Sequence, residues 1–235
     1  MDYDYICNAH PKNCCIICKK ILKYNDVVRL AAGGPSGSGK EELERYRDLC
    51  DACVELANKN ELDMVRPWEI TELARIFLCY ARFLERYEHM VNYLYSAVSK
   101  MLDCVYAHPR LKLELLCLQL TVCRDIEAVQ MHDLSITEEV EDEIRFYQRN
   151  IEFADSGRLD QIRDRGVLRS DPVEWTARWE EVVDEADKIA YANLEDVPRS
   201  MGFCHALWSE RREALARFGI DWKSPRIMNP KVMFD

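Results

Sequence analysis

Two pairs of cysteines near the start of the chain constrain its fold more than any other feature. Cys15 and Cys18 form the first pair, Cys50 and Cys53 the second, and each pair has two intervening residues. This spacing lets two thiolates bind one metal ion, and four thiolates complete the tetrahedral shell of a structural zinc site. Because four thiolates leave no position open for water or substrate, the predicted Zn²⁺ stabilises structure and takes no part in a reaction.

Other ligand-type side chains flank the first pair. Cys7 and His10 are also separated by two residues, and Cys14 directly precedes Cys15. Any of Cys7, His10 and Cys14 could replace a member of the four-cysteine set or help to bind a second ion. A second ion would need a fourth ligand, and none is evident nearby, so the sequence predicts one zinc ion and leaves its final ligand set open.

The segment between the two pairs reads as a hairpin followed by a helix. Residues 27–30 form a short segment that begins with two β-branched valines, which favours a strand. Residues 44–49 could form a second strand that pairs with it, or begin a helix. The stretch 33–40 between them holds four of the eight glycines and predicts a long connecting loop. On this reading Cys50 and Cys53 lie on the first turn of a helix that ends near Asn58.

A CxxC knuckle, a hairpin and a helix that supplies the second CxxC resemble the treble-clef family of zinc modules. The resemblance covers about residues 14–58, with Cys15-Ile16-Ile17-Cys18 followed by two lysines as the knuckle. It implies a zinc-held scaffold and little about activity, since the family is functionally diverse. Treble clefs that act as nucleases carry catalytic histidines on the hairpin or helix, and none lies between His10 and His89 here.

From Pro67 onward, apolar residues recur every three or four positions, which predicts amphipathic helices. The first expected segment covers residues 67–105, as one long helix or as two with a break near Arg86. The other expected helices cover residues 111–129, 135–156, 172–194 and 200–218. The predicted fold is therefore mainly α: a zinc module at 1–60 (β-hairpin plus helix), an acidic α-helical bundle at 61–219 and an extended C-terminal segment at 220–235.

The charge distribution bears on the class of partner. The net charge is −10, and residues 61–235 account for all of it, with 23 Lys and Arg against 33 Asp and Glu. An acidic body repels phosphate backbones, so nucleic-acid binding is the less favoured alternative and would depend on a basic patch in the zinc module. The patch consists of Lys19, Lys20, Lys23, Arg29 and Lys40.

Residues 34–40 match the phosphate-binding pattern G-x-x-x-x-G-K, and small nucleotide kinases carry similar loops. The next residue is Glu41, however, where such loops need a hydroxyl to bind Mg²⁺, and no βαβ pattern follows. A nucleotide-binding enzyme using residues 34–40 is therefore a weaker alternative.

Nothing in the helical part has the residue types and spacing of an active site. The acidic cluster that includes Glu180, Asp184 and Asp187 is predicted to be a solvated helix face. Cys204 and His205 are adjacent on a helix and point about 100° apart, which does not suit a nucleophile and its base. His108 is expected to cap a helix or lie at the surface.

These observations predict a non-enzymatic, intracellular zinc-binding protein that works through protein–protein contact. The cytoplasm is the expected compartment, because eleven cysteines without a secretory signal indicate reduced thiols. The sequence contains no run of eighteen apolar residues, so it predicts no membrane-spanning helix. The expected contact surfaces are the zinc module with its loop and the segment 222–234, with packing of that segment on its own bundle as the alternative.

Overall fold

The computed structural model describes residues 23–131 and 135–234, and in these ranges the chain is helical without strands. The helices are α1 (Tyr24–Ala31), α2 (Lys40–Leu62), α3 (Pro67–Leu84), α4 (Val91–Leu102), α5 (Pro109–Gln130), α6 (Ser135–Asp155), α7 (Ala177–Asn193), α8 (Phe203–Arg217) and the single turn α9 (Pro225–Met228). The prediction of a mainly α fold is confirmed, and of the two alternatives for residues 67–105 the structure has two separate helices, α3 and α4.

Helices α1 to α6 share one hydrophobic core. The stripe on α3 illustrates how the sequence builds it, because its buried side chains follow the three-to-four spacing of one helix face. These are Ile70, Leu73, Ala74, Phe77, Leu78, Ala81 and Leu84. Proline occupies the first turn of both α3 and α5, where its missing N–H would have no intrahelical partner.

The predicted β-hairpin is wrong. Residues 27–30 lie within α1, and residues 44–49 lie within α2. The physical reason is helical spacing: Val27 is buried on α1, while Leu43, Cys50 and Ala57 are buried on α2 at intervals of seven residues, or two helical turns. The two valines at 27 and 28 have strand propensity, but packing against the other helices decides the local structure.

The expected boundary near residue 60 falls inside α2. Buried residues of α1 and α2 belong to the same core as those of α3 to α6, and α2 packs along α3. Residues 23–60 are thus part of the helical bundle, without a separate module in that range. Residues 1–22, which carry the first cysteine pair, lie outside the described residues.

A second, smaller core joins α7, α8 and the C-terminal segment. Trp179 of α7 and Trp222 of the C-terminal segment are its largest members, with ring centroids 6.0 Å apart. Gly219 has φ +80° and ends α8, as its position in the sequence predicts. Trp222 is 2% exposed and the Lys223 N–H donates to Asp171, so this segment packs on its own bundle.

Across residues 23–131 and 135–234, no helix combines the length and apolar character needed to cross a bilayer.

Candidate interaction groove and polar seam

A layer of polar contacts, here called the seam, joins the second core to the first. Asp184 of α7 is central to it: its Oδ1 accepts a hydrogen bond from the Thr71 hydroxyl at 3.0 Å. The same oxygen lies 2.9 Å from Nε2 of His108, which immediately precedes α5. Three helices are therefore tied together at one carboxylate oxygen.

The arrangement of Thr71, Asp184 and His108 does not suit nucleophilic catalysis. A nucleophile needs a hydrogen bond to a base, but Thr71 and His108 both bond to the carboxylate rather than to each other. His108 is 2% exposed, and its Nδ1 has no hydrogen-bond partner in the described part of the chain. The trio holds the helices together, and a substrate could not reach it without opening the seam.

The acidic face of α7 was predicted to be solvated, and for three of its members this is wrong. Glu180, Asp184 and Asp187 point into the protein, spaced four and three residues apart on one helix face. Glu180 Oε1 accepts from the backbone N–H of Arg110 at 2.8 Å. Asp187 forms a bidentate ion pair with Arg211 of α8 at 2.5 and 2.6 Å.

A groove of about 380 Å³ opens beside the seam. The loop from α2 to α3 forms one wall, and the start of α8 forms the other. Its lining is mainly apolar and includes Val65, Pro67, Ile70, Phe203, Leu207 and Trp208. At its rim, Met64 and Tyr106 are 65% and 67% exposed, so two large apolar side chains face solvent next to an apolar cleft.

The α2–α3 loop has an unusual backbone at this groove. Met64 and Arg66 have φ values of +50° and +46°, in the left-handed region that side chains other than glycine rarely adopt. The connection from α7 to α8 holds this loop in place: Arg199 Nη1 donates to the carbonyls of Asp63 and Met64 at 3.0 and 2.6 Å. The Tyr191 hydroxyl donates to the Met64 carbonyl as well, at 3.2 Å.

Arg199 is positioned by aromatic rings. Its guanidinium carbon lies 5.5 Å from the ring centroid of Tyr191 and 5.4 Å from that of Phe203. Cation–π attraction to both rings orients the donors toward the loop carbonyls. On the opposite rim, partial desolvation of the hydroxyl and then the nearby carboxylate of Glu61 raise the pKa of Tyr106.

The structure places the second predicted zinc pair in the first core. Cys50 and Cys53 lie in the middle of α2 and have no exposed surface. Burial raises the pKa of both thiols, which keeps them protonated. Within residues 23–131 and 135–234, no three His, Cys, Asp or Glu side chains cluster closely enough to bind a metal ion. Cys7, His10, Cys14, Cys15 and Cys18 lie outside the described residues.

Residues 34–39 belong to the connection from α1 to α2, which begins at Lys40, and three backbone donors of this connection have side-chain acceptors. The N–H groups of Ser36 and Gly37 both donate to the Tyr46 hydroxyl at 3.1 Å, and the N–H of Gly39 donates to Glu42 at 2.9 Å. A phosphate would have to displace these contacts and lie beside the Glu42 carboxylate, which phosphate charge disfavours.

The described part of the predicted basic patch is small. Lys23 precedes α1, and Arg29 pairs with Asp26 at 3.0 Å on the same helix. Lys40 begins α2. Lys19 and Lys20 lie outside the described residues.

Reasoning from the sequence missed the groove residues that matter most. Arg199, Tyr191 and Met64 are separated by up to 135 positions in the chain, so no local pattern links them. For the seam, the sequence does carry one signal. Glu180, Asp184 and Asp187 are spaced four and three residues apart, which places them on a single helix face. Cys204 lines the groove, while His205 contacts the Phe234 carbonyl at 3.2 Å.

Comparison with known proteins assigns no family: no family model, curated protein or solved structure matches this chain.

Proposed function

We propose that this chain is a non-enzymatic protein-interaction protein that binds its partner in the groove between the α2–α3 loop and α8. The occupant is a segment of a partner protein that inserts apolar side chains between Ile70 and Leu207. A single observation carries the proposal: an open apolar groove with exposed Met64 and Tyr106 at its rim. Exposed apolar surface that surrounds a cleft is typical of binding sites.

The strained loop supports the same interpretation. Left-handed residues other than glycine cost about 1–3 kcal/mol each and concentrate at binding and catalytic sites. Met64 and Arg66 keep this conformation because Arg199 and Tyr191 bind the loop carbonyls. The geometry thus fixes the shape of one wall before a partner arrives, which reduces the entropy lost on binding.

The contacts of the polar residues favour binding over chemistry. The half-buried carboxylate of Asp184 accepts from Thr71, the buried carboxylate of Asp187 accepts from Arg211, and both connect helices to one another. Neither lines the groove. A binding protein needs only the shape and apolar character of the groove, whereas an enzyme would need accessible reacting groups.

Site-specific photo-cross-linking tests the proposal. Tyr106 is replaced by the photoreactive amino acid p-benzoylphenylalanine, which keeps an aromatic side chain at the rim, and the full-length protein is irradiated in its host cells. We expect one discrete cross-linked partner, with the attachment mapped to an apolar segment of it. Binding of the purified partner should then weaken at least tenfold with Leu207→Glu.

The matched controls use Val167, which is 96% exposed on the connection between α6 and α7 and does not line the groove. The photoreactive residue at 167 should not capture that partner, and Val167→Glu should leave its affinity unchanged. Equal capture from 106 and 167, or unchanged affinity with Leu207→Glu, would overturn the assignment of the groove.

A further inference from the structure

The second core carries a group of exposed cations, here called the basic face. Its five members are Arg165 and Arg169 on the connection from α6 to α7, and Lys223, Arg226 and Lys231 on the C-terminal segment. Within the described part of the chain, no carboxylate forms an ion pair with any of these five side chains. Their positive charge is therefore available to an anionic partner.

The charge of this region is opposite to that of the whole chain. Residues 163–170 and 221–234 carry six Lys and Arg against two Asp, whereas the chain has a net charge of −10. Exposed arginines elsewhere have carboxylate neighbours: Arg82 pairs with Glu114 and Arg124 pairs with Glu141, each at 2.9 Å. The basic face is thus a local excess of positive charge on an acidic protein.

Two reciprocal hydrogen bonds hold the two stretches of the basic face side by side. The Arg169 N–H donates to Asn229 Oδ1 at 2.8 Å, and Asn229 Nδ2 donates to the Arg169 carbonyl, also at 2.8 Å. The Lys223 N–H donates to Asp171 at 2.7 Å, two residues after Arg169. The cations of the loop and of the C-terminal segment therefore belong to one surface.

Exposed aliphatic side chains lie beside these cations. Val167 is 96% exposed between Arg165 and Arg169, and Met233 is 93% exposed two residues after Lys231. The other exposed aliphatic members are Leu168, Ile227 and Val232. Val167 and Met233 project into water, where their apolar surface is unfavourable, so a partner that covers them would gain free energy.

Cations next to projecting aliphatic groups match the chemistry of an anionic lipid surface. Lysine and arginine stay at the level of the charged headgroups, while aliphatic side chains insert below them. We propose that the basic face binds the surface of a membrane that contains anionic phospholipids, with Val167 and Met233 inserted between the headgroups. A single-stranded nucleic acid suits the face less well, because it stacks on aromatic side chains and the projecting groups here are aliphatic.

A cavity of about 570 Å³ opens within the basic face. Arg226 lines it together with the aliphatic side chains of Ile227, Val232 and Met233. A guanidinium beside aliphatic walls suits a phosphate headgroup and the upper part of its acyl chains. The cavity therefore repeats, in one place, the combination of charge and apolar surface that the whole face presents.

The acidic remainder of the chain does not prevent this contact. Exposed charges further apart than a Debye length, about 8 Å at physiological ionic strength, are largely screened from one another. The attraction is therefore governed by the charges on the basic face, and it should weaken as salt is added. None of the five cations lines the groove, so lipid binding is independent of the proposed partner binding.

Cosedimentation of the full-length protein with vesicles tests the proposal. Vesicles of about two parts phosphatidylcholine to one part phosphatidylserine should bind the protein, and vesicles of phosphatidylcholine alone should not. The triple variant Arg165→Gln, Arg226→Gln, Lys231→Gln should lower the partition coefficient about 100-fold, because each cation at an anionic surface contributes about fivefold. The double variant Val167→Ser, Met233→Ser should lower it at least about fivefold, because it removes the inserted apolar groups.

The matched control removes the same number of exposed charges from the first core, in the variant Arg75→Gln, Arg82→Gln, Arg124→Gln. It should bind vesicles as the wild type does, and circular dichroism checks that every variant keeps its helix content. The proposal is overturned if the wild type does not bind the phosphatidylserine vesicles at low salt, if the control loses as much binding as the triple variant of the basic face, or if the double serine variant binds as the wild type. Tighter binding to duplex DNA or to polyglutamate than to the vesicles would also overturn it, because the basic face would then recognise another class of polyanion.

Discussion

The indole Nε1 of Trp222 donates a 2.7 Å hydrogen bond to Oε1 of Glu174, which fastens the C-terminal segment to the turn before α7. Trp222 packs against Trp179, and the Arg211 guanidinium lies 5.8 Å from the centroid of the Trp222 ring. Burial raises the pKa of Glu174, although this hydrogen bond and Arg211 act in the opposite direction. This polar contact inside an apolar cluster thus acts together with the hydrogen bond from the Lys223 N–H to Asp171 in holding the segment.

This contact predicts a pH-dependent effect of Glu174→Gln. Because the pKa of Glu174 is raised by folding, its stabilising contribution is complete below the unfolded value, 4.5, and is lost as the pH rises through the folded value. Glutamine keeps an acceptor for Trp222 and carries no charge. We expect the free energy of unfolding of Glu174→Gln, minus that of the wild type, to become more positive as the pH rises from 4.5 to 8.

Urea denaturation at several pH values measures this difference. Glu174→Ala should be about 1–3 kcal/mol less stable than Glu174→Gln at every pH, because the Trp222 N–H is left buried without an acceptor and neither variant titrates at this position. Glu213→Gln on the exposed face of α8 is the matched control and should follow the wild type. A difference between Glu174→Gln and wild type that stays constant with pH would contradict the prediction.

The buried ion pair of Asp187 and Arg211 predicts strong coupling between the two positions. Asp187→Ala alone should cost up to about 3–5 kcal/mol, because it leaves the Arg211 guanidinium, which is 19% exposed, without its carboxylate. The free energy of unfolding of the double variant Asp187→Leu, Arg211→Met should be much closer to that of the wild type, because neither charge remains without a partner. A double-mutant cycle by chemical denaturation measures this coupling.

The exposed pair of Arg178 and Glu181, 2.9 Å apart, is the control for that cycle. Its coupling should not exceed about 1 kcal/mol, as is usual for solvated ion pairs. Similar coupling energies in the two pairs would contradict the prediction, because they would show that burial does not strengthen the coupling between Asp187 and Arg211.

The contacts of Arg199 predict that the α2–α3 loop becomes more mobile when this side chain is truncated to alanine. Arg199→Ala removes the donor to the carbonyls of Asp63 and Met64, so the left-handed loop loses its main support. Hydrogen exchange followed by mass spectrometry should show faster exchange in residues 61–66, with a global loss of about 1–2 kcal/mol. Arg212→Ala, on the exposed face of α8, should leave exchange in this loop unchanged.

The cysteines are predicted to fall into two reactivity classes. Cys79 and Cys117 are exposed, whereas Cys50 and Cys53 are buried, and burial raises the pKa of both buried thiols. At pH 8, alkylation of Cys50 and Cys53 in the native protein should be at least roughly 100-fold slower than alkylation of Cys79 and Cys117. The reagent cannot reach the two buried thiols, and their raised pKa leaves little of the reactive thiolate. Peptide mapping after timed labelling measures the rates, and comparable rates for the two pairs would contradict the placement.

Nucleotides are predicted not to stabilise this protein. Ser36, Gly37 and Gly39 already donate to side chains, and the Glu42 carboxylate lies within the loop. MgATP or MgGTP at millimolar concentration should therefore leave the melting temperature unchanged, because only a ligand that binds the folded state raises it. A melting temperature that rises with nucleotide concentration would contradict this prediction and would support residues 34–40 as a phosphate-binding site.

Most helices could be predicted because the information for them is local. The apolar stripe on α3, the proline at the start of α5 and Gly219 after α8 each act within a turn or two of the chain. The first sixty residues were harder to interpret. Residues 27–30 are too few to distinguish a strand from a helix by their spacing, and the intervals between Cys50, Cys53 and Ala57 fit both a metal pair and a buried helix stripe.

The sequence by itself determined that the chain is helical from Pro67 onward, that residues 61–235 are acidic, and that metal-type residues cluster before residue 20. Only the tertiary structure decided that Cys50 and Cys53 are core side chains, that Asp184 and Asp187 face inward, and that Arg199 supports the groove. The physical reason is distance along the chain. Helix formation depends on neighbours three and four residues apart, whereas the hydrogen bond between Thr71 and Asp184 joins residues 113 positions apart and forms only when the helices pack.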